Sequence, residues 1–175
     1  MSTLFEDLGE ALTESGADPV HLIVAEVAGS FDVIALSAND AREDSFPLPA
    51  ELHHGIIMVA EKRKLGATWM HASFSMVVAQ EKLPEDFFEE EEVAEHGSLL
   101  RVSRIGRPGL KYLALFEAVH RENSTALDEL KNLALDQREL LKVTRWFRTE
   151  GILENRHGTR LTEVLCTLIQ SESPE

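Results

Sequence analysis

The hydrophobic residues of the chain change from one periodicity to another along its length. Over residues 3–15 they recur at helical spacing, and Thr3 followed by Glu6 has the pattern of a capping box. We predict a short amphipathic helix there that ends at Gly16. Residues 51–64 show the same helical spacing and predict a second helix.

Extended segments lie between and after these two helices. Residues 20–27 and 31–36 are two β-branched runs on either side of a turn that contains Gly29, which predicts a β-hairpin. Residues 98–105 alternate well enough for a further strand. The sequence Gly-Arg-Pro-Gly over residues 106–109 predicts a turn after that strand.

One run in the first hundred residues fits two periodicities. Residues 67–79 mix Trp, Phe and Val and favour a strand, with a helix as the alternative. With the predicted helices and hairpin, this run makes residues 1–105 a small α+β domain.

From Leu110 onward the pattern becomes helical and stays so for most of the remaining chain. The predicted elements are a helix ending near Asn123, a helix capped by Ser124 or Thr125, a helix capped by Asp136, a β-hairpin with a basic tip over residues 151–162, and a helix over residues 162–170.

The third of these helices has two distinct faces. Leu140, Val143 and Phe147 fall within one narrow sector at 100° per residue and predict the side that faces the core. The opposite side carries a polar and basic stripe, formed by Arg138, Lys142, Arg145 and Thr149.

This order of elements resembles the winged helix-turn-helix superfamily. The resemblance covers residues 110–170 and is strongest at the Glu150-Gly151-Ile152-Leu153 exit and the Leu161-Thr162-Glu163 return. Together with the pattern of residues 1–105, it predicts an α+β protein in which an acidic domain of residues 1–105, for dimerisation or partner binding, is followed by a winged-helix domain over residues 106–175.

The resemblance implies double-stranded DNA as a partner and a role in transcription regulation. The third helix would enter the major groove, and the hairpin would touch the backbone or minor groove. The implied DNA contacts are Arg138, Lys142, Arg145 and Thr149 on the helix, and Arg156 and Arg160 on the wing. A homodimer is also implied, because two-fold regulators bind paired half-sites.

Charge is distributed unevenly along the chain. The 175 residues carry 31 acidic and 17 basic side chains, a formal net charge of −14. Residues 1–100 account for −15 and residues 101–175 for +1, which suggests that the two parts have different partners. We find no signal-peptide pattern and no apolar run long enough for a bilayer, and expect a cytoplasmic protein that does not contact membranes.

The densest acidic stretch, residues 81–95, supports two interpretations. One is a solvated linker between domains. The other is a partner-binding patch formed by Phe87, Phe88, Glu89, Glu90, Glu91 and Glu92. The patch supports an alternative function, that of an adaptor or an inhibitor (for example, from a mobile element) that binds a protein partner and uses the winged helix as a protein–protein module.

We recognise no set of catalytic or metal-ligating residues in the sequence. The seven histidines are scattered, and the adjacent His53 and His54 would point about 100° apart on a helix. There is no glycine-rich phosphate loop and no nucleophile elbow, and the single cysteine, Cys166, lies between leucines of the last predicted helix. We therefore expect neither an enzyme, nor a metal site, nor a cofactor.

Overall fold

The fold is α+β, as the changes of periodicity predict. The computed structural model describes residues 3–27, 29–37, 43–44, 48–66, 69–72, 74, 78 and 82–172. The helices are α1 (Leu4–Glu14), α2 (Ala50–Arg63), α3 (Arg107–His120), α4 (Ser124–Asn132), α5 (Gln137–Trp146) and α6 (Asn155–Glu172). The strands are β1 (Val20–Val27), β2 (Ser30–Ser37), β3 (Glu43–Asp44), β4 (Met70–His71), β5 (Glu92–His96) and β6 (Leu100–Arg104).

The strands form one mixed sheet in the order β3-β2-β1-β6-β5, with β4 pairing additionally with β2. The predicted β1–β2 hairpin is confirmed as an antiparallel pair. Strand β6 lies parallel to β1, and β5 returns antiparallel to β6. The sequence favours a strand over residues 67–79, and in the described part of this run the strand is β4 alone. Residues 67–68, 73, 75–77 and 79 lie outside the described residues.

Each face of the sheet is covered by its own group of helices. Because side chains alternate along a strand, successive residues of β1 enter two different cores. One core lies between the sheet and α1 and α2, and includes Phe5, Leu8, Leu22, Val24, Leu52, Ile56, Leu100 and Val102. The other lies between the sheet and α3 to α6, and includes Ile23, Ala25, Ile34, Leu113, Phe116, Leu130, Val143, Phe147, Leu161 and Leu168.

The second core joins the two segments that the sequence divides at residues 105 and 106. Side chains of β1 and β2 pack in the same cluster as side chains of α3 to α6. Four aromatic rings link the segments further, since Phe74 lies 6.0 Å from Phe87, 5.1 Å from Phe116 and 6.4 Å from Trp146 between ring centroids. The helical segment is therefore packed directly on the sheet.

Residues 106–109 are not the turn that the sequence predicts. Gly106 is the N-cap of α3, and Pro108 lies in its first turn, where the missing N–H costs nothing. Gly109 allows the backbone of the acidic segment to come close, because a Cβ there would lie 2.2 Å from the carbonyl oxygen of Phe87. The glycines and proline that resemble a turn thus serve a helix start and a close contact.

The helices that follow begin near the predicted positions. The α4 cap is Asn123, whose side chain accepts hydrogen bonds from the amides of Thr125 and Ala126, and not Ser124 or Thr125. Asp136 caps α5 as predicted, and Glu139 completes a capping box with it.

The β-hairpin predicted over residues 151–162 is wrong. Helix α5 continues into a π-helical turn (Phe147–Gly151), and α6 begins at Asn155. Leu161, Val164 and Leu168 share one face of α6 and are buried in the second core. A helix therefore buries this apolar face, and His157 is also buried, at the position where the hairpin tip is expected.

Candidate nucleic-acid interface on helix α5

Helices α4 and α5 follow α3 and are separated by residues 133–136. In this short connection Ala134 adopts a left-handed conformation (φ 50°). The next residue, Leu135, is buried and anchors the connection in the second core. Helix α5 then begins at the Asp136 cap.

The predicted core-facing side of α5 is confirmed. Val143 and Phe147 are 1% and 0% exposed, and Leu140 is half-buried against the same core. Arg138, Lys142 and Arg145 lie on the opposite, exposed side. They span about 10 Å along the axis at 1.5 Å per residue, which is short enough to lie within one DNA groove.

The predicted DNA-contact residues of this helix are not equivalent. Arg138 and Arg145 are exposed, and neither forms an ion pair with any residue that the structure describes. Lys142 is half-exposed and its Nζ lies 3.1 Å from Oδ2 of Asp86. The Thr149 hydroxyl donates to the carbonyl oxygens of Arg145 and Trp146, which satisfies it within its own helix. Among the four predicted contact residues of this helix, Arg138 and Arg145 are therefore the cations that have no carboxylate partner in the described part of the chain.

A further cation, Arg148, lies outside the predicted stripe. It is exposed on the π-helical turn, and over the described part of the chain no carboxylate pairs with it. It follows Arg145 by three residues and adds an exposed cation near the C-terminal end of the basic face. Helical spacing does not indicate Arg148, because this residue falls outside the narrow sector that holds the four predicted contact residues.

Asp86 connects the basic helix to the acidic segment. Its Oδ1 accepts a hydrogen bond from the Tyr112 hydroxyl at 2.9 Å, and its Oδ2 accepts from Lys111 Nζ at 3.2 Å and from Lys142 Nζ. Burial opposes ionisation of Asp86 and by itself would raise its pKa. The hydrogen bonds from Tyr112, Lys142 and Lys111 outweigh the burial, so that the pKa of this carboxyl lies below its ordinary value.

Both ends of α5 are fixed to neighbouring segments. At the N-terminal end, Arg107 forms an ion pair with Glu139 and donates to the carbonyl oxygen of Leu133 at 2.9 Å. At the C-terminal end, the indole Nε1 of Trp146 donates to the carbonyl oxygen of Lys82 at 3.0 Å. These contacts hold the basic face in one orientation, which reduces the entropy cost of binding a rigid partner.

The two predicted wing residues lie at the start of α6. Arg156 is 70% exposed on its side chain and pairs with Glu154 at 2.8 Å. Arg160 is less exposed, and it donates to the carbonyl oxygen of Ala118 at 3.4 Å and pairs with Glu163 at 3.3 Å. Because no hairpin forms here, neither arginine lies on a wing.

The acidic segment is ordered and packed, so the linker interpretation is wrong for residues 92–96, which form β5. Phe87 is fully buried and stacks on Phe74, and Phe88 packs edge-on against Phe87. The exposed part of the proposed patch is carboxylate, at Glu89, Glu90 and Glu92. Glu91 is half-buried.

Two histidines, one from α3 and one from α6, lie in contact with their rings tilted by 35°. The His120 ring lies 4.7 Å from Phe116 and 4.5 Å from His157, between centroids. His157 is 2% exposed, its Nδ1 accepts a hydrogen bond from the Leu153 amide, and its Nε2 has no hydrogen-bond partner among the described residues. Burial, the nearby His157 and two arginines lower the pKa of His120. The described residues contain no group of three metal-ligating side chains.

No helix in the part of the chain that the structure describes is long and apolar enough to cross a bilayer. Comparison of the chain with protein-family models, with curated proteins and with solved structures gave no match.

Proposed function

We propose that this chain is a DNA-associated regulatory protein that contacts duplex DNA with the exposed face of α5. The observation that carries the proposal is the pair of exposed arginines, Arg138 and Arg145, on one face of α5. Arginine is suited to this role because its planar guanidinium binds guanine edges and phosphates in a bidentate manner. Arg148 would add a phosphate contact at the end of the helix.

The net charge of −14 does not prevent such a contact. At physiological ionic strength the Debye length is about 8 Å, so distant carboxylates are screened while a cation in the groove is not. The same net charge lowers the rate and affinity of non-specific encounter. The proposal therefore requires the local attraction between the α5 arginines and phosphate to exceed the repulsion from the remaining charge.

Fluorescence anisotropy on a labelled duplex of mixed sequence, at low salt, tests the proposal. We expect binding by the native chain and a loss of at least tenfold in the variant with Arg138→Glu and Arg145→Glu, because each reversal turns an attraction for phosphate into a repulsion. Lys64→Glu is the matched control for a single reversal, since Lys64 is exposed at the end of α2, on the other side of the sheet.

The single variant Arg145→Glu is compared with Lys64→Glu on the same duplex. Equal affinity of these two variants for the duplex would contradict the proposal. A native far-UV circular dichroism spectrum of both variants ensures that the comparison reports on charge and not on unfolding. Lys142 is left unchanged in this experiment because it also holds Asp86.

A further inference from the structure

Strand β5 forms an open edge of the sheet. It is the terminal strand in the order β3-β2-β1-β6-β5, and over the described residues its strand neighbour is β6. Four of its five residues are exposed, and Val93 is 53% exposed. An exposed strand edge is a template for pairing with another chain.

The pairing of the neighbouring strands determines which backbone groups of β5 face outward. The Val20 amide donates to the carbonyl of Leu99, and the Ile105 amide donates to the carbonyl of Val24, so the odd-numbered positions from 99 to 105 direct their backbone groups to β1. The even-numbered positions of β6 then face β5.

In the β5–β6 register, these even-numbered positions lie opposite Glu92, Ala94 and His96. Those three residues therefore use their backbone groups within the sheet. Since successive residues of a strand direct their N–H and C=O groups to opposite sides, the N–H and C=O groups of Val93 and Glu95 face outward. The edge thus presents two N–H donors and two C=O acceptors, with which a further strand can pair in antiparallel or parallel orientation.

The segment that leads into this strand and forms it is acidic. Residues 85–96 contain seven Asp and Glu side chains and no Lys or Arg. Asp86 is neutralised by its two lysines, and Arg101 and Arg104 lie opposite Glu95 and Glu92 on β6. Glu89 and Glu90 are exposed immediately before the strand.

We propose that the outer edge of β5 binds an extended, Lys- and Arg-rich segment of a partner protein by strand addition. The outward groups of Val93 and Glu95 would form the backbone hydrogen bonds, which provide affinity without sequence preference. The carboxylates around the strand would select a segment with basic side chains. This site is independent of the DNA contact proposed for α5, and it gives the adaptor alternative a specific surface.

A second copy of this chain fits the edge less well than a basic segment. Each copy carries a formal net charge of −14, so two copies repel each other as they approach. A basic segment is attracted to the same edge. The charge complementarity therefore favours a basic occupant.

The edge is held in place by the helix beneath it. The Phe5 ring of α1 lies 5.6 Å from the His96 ring, and Gly9 lets α1 approach so closely that a Cβ there would lie 2.5 Å from the His96 carbonyl oxygen. Because the strand is already held in place, it loses little conformational entropy when a partner pairs with it.

The test uses a fluorescein-labelled peptide that alternates Lys and Val, and a matched peptide that alternates Glu and Val. We expect the purified chain to bind the Lys–Val peptide and not the Glu–Val peptide. Val93→Pro removes an outward N–H and leaves the β5–β6 hydrogen bonds in place, so we expect it to weaken binding roughly tenfold. Val93→Ala keeps the N–H and is expected to retain binding. Arg138→Glu with Arg145→Glu is also expected to bind the peptide normally.

Three results would overturn the proposal. They are equal binding of the two peptides, native-like binding by a folded Val93→Pro variant, and a homodimer of the native chain that Val93→Pro dissociates, since a second copy would then occupy the edge. Thermal unfolding of Val93→Pro and Val93→Ala establishes that both fold. The variant with Arg138→Glu and Arg145→Glu is measured on the same peptide. Peptide binding therefore tests the β5 proposal alone, whether or not the chain binds DNA.

Discussion

Lys142 of α5 lies 3.1 Å from the carboxylate of Asp86, a residue 56 positions away in the sequence. Asp86 also binds the buried Lys111, which is 6% exposed. The helix that carries the proposed DNA contact is therefore attached to the same acidic segment that leads into β5. This attachment fixes α5 relative to the acidic segment.

Asp86→Ala is expected to destabilise the chain by about 3 kcal/mol, because it leaves the ammonium of Lys111 buried without its partner. Urea unfolding followed by circular dichroism measures the change. Lys142→Ala removes the half-exposed partner of the same carboxylate and is the control, with an expected loss of no more than about 1 kcal/mol. Equal losses in the two variants would show that burial of Lys111 does not set the energy of this group.

Gly109→Ala and Gly158→Ala are expected to change stability in opposite directions. A Cβ at Gly109 would lie 2.2 Å from the Phe87 carbonyl oxygen and 2.5 Å from Ile105 Cγ2, so the acidic segment or α3 must shift, at a cost of about 1–3 kcal/mol. Gly158 lies in α6 and a Cβ there meets nothing within 4 Å. Alanine should therefore stabilise α6 by about 0.5–1 kcal/mol. Thermal unfolding distinguishes the two signs.

The second of these substitutions also tests the structure of residues 151–162. If these residues formed the hairpin that the sequence predicts, Gly158 would lie in its tight turn and alanine would destabilise the chain. A stabilised Gly158→Ala variant is expected from a helix that begins at Asn155.

The stability of the chain is expected to fall in mild acid because of His120. Burial, followed by the charges of His157, Arg121 and Arg156, lowers the pKa of His120, and Glu154 opposes them. The unfolded chain then takes up a proton at a higher pH than the folded chain. The free energy of unfolding therefore decreases as the pH falls through the ordinary histidine range towards the lowered pKa of His120.

His120→Gln should reduce this pH dependence, and urea unfolding at a series of pH values measures it. His71 contributes with the same sign, since burial and then Arg121 lower its pKa also, so the variant with both His120→Gln and His71→Gln should show the smaller slope. A slope in the double variant equal to that of the native chain would show that other groups control the acid response.

Local periodicity predicted most of the fold. The 3.6-residue pattern located α1, α2 and the start of α5, because these helices bury one face and expose the other. The two β-branched runs around Gly29 located the β1–β2 hairpin, whose strands are buried on both faces. The prediction for the α6 region was wrong at Asn155-Arg156-His157-Gly158, where residues typical of turns form the first turn of a helix. Its helix is specified by Leu161, Val164 and Leu168, which lie outside the predicted hairpin tip.

The candidate surfaces were predictable only in part. The exposure of Arg138 and Arg145 follows from helical spacing, since the buried side of α5 fixes the opposite side. The Asp86–Lys142 pair and the outward groups of Val93 and Glu95 depend on contacts between distant segments, and spacing along the chain carries no signal for them. The burial of Phe87 is of the same kind, because its neighbour Phe74 lies 13 residues earlier in the chain.

The salt dependence of DNA binding tests the central claim most directly. For the native chain, the logarithm of the binding constant should fall linearly with the logarithm of salt concentration, with a slope set by the number of phosphate contacts. If Arg138 and Arg145 bind phosphates, Arg138→Ala and Arg145→Ala should each reduce that slope by roughly one, and Lys64→Ala should leave it unchanged. DNA binding whose slope is the same in all three variants, or no binding by the native chain at low salt, would contradict the assignment of α5 as the DNA-contact helix.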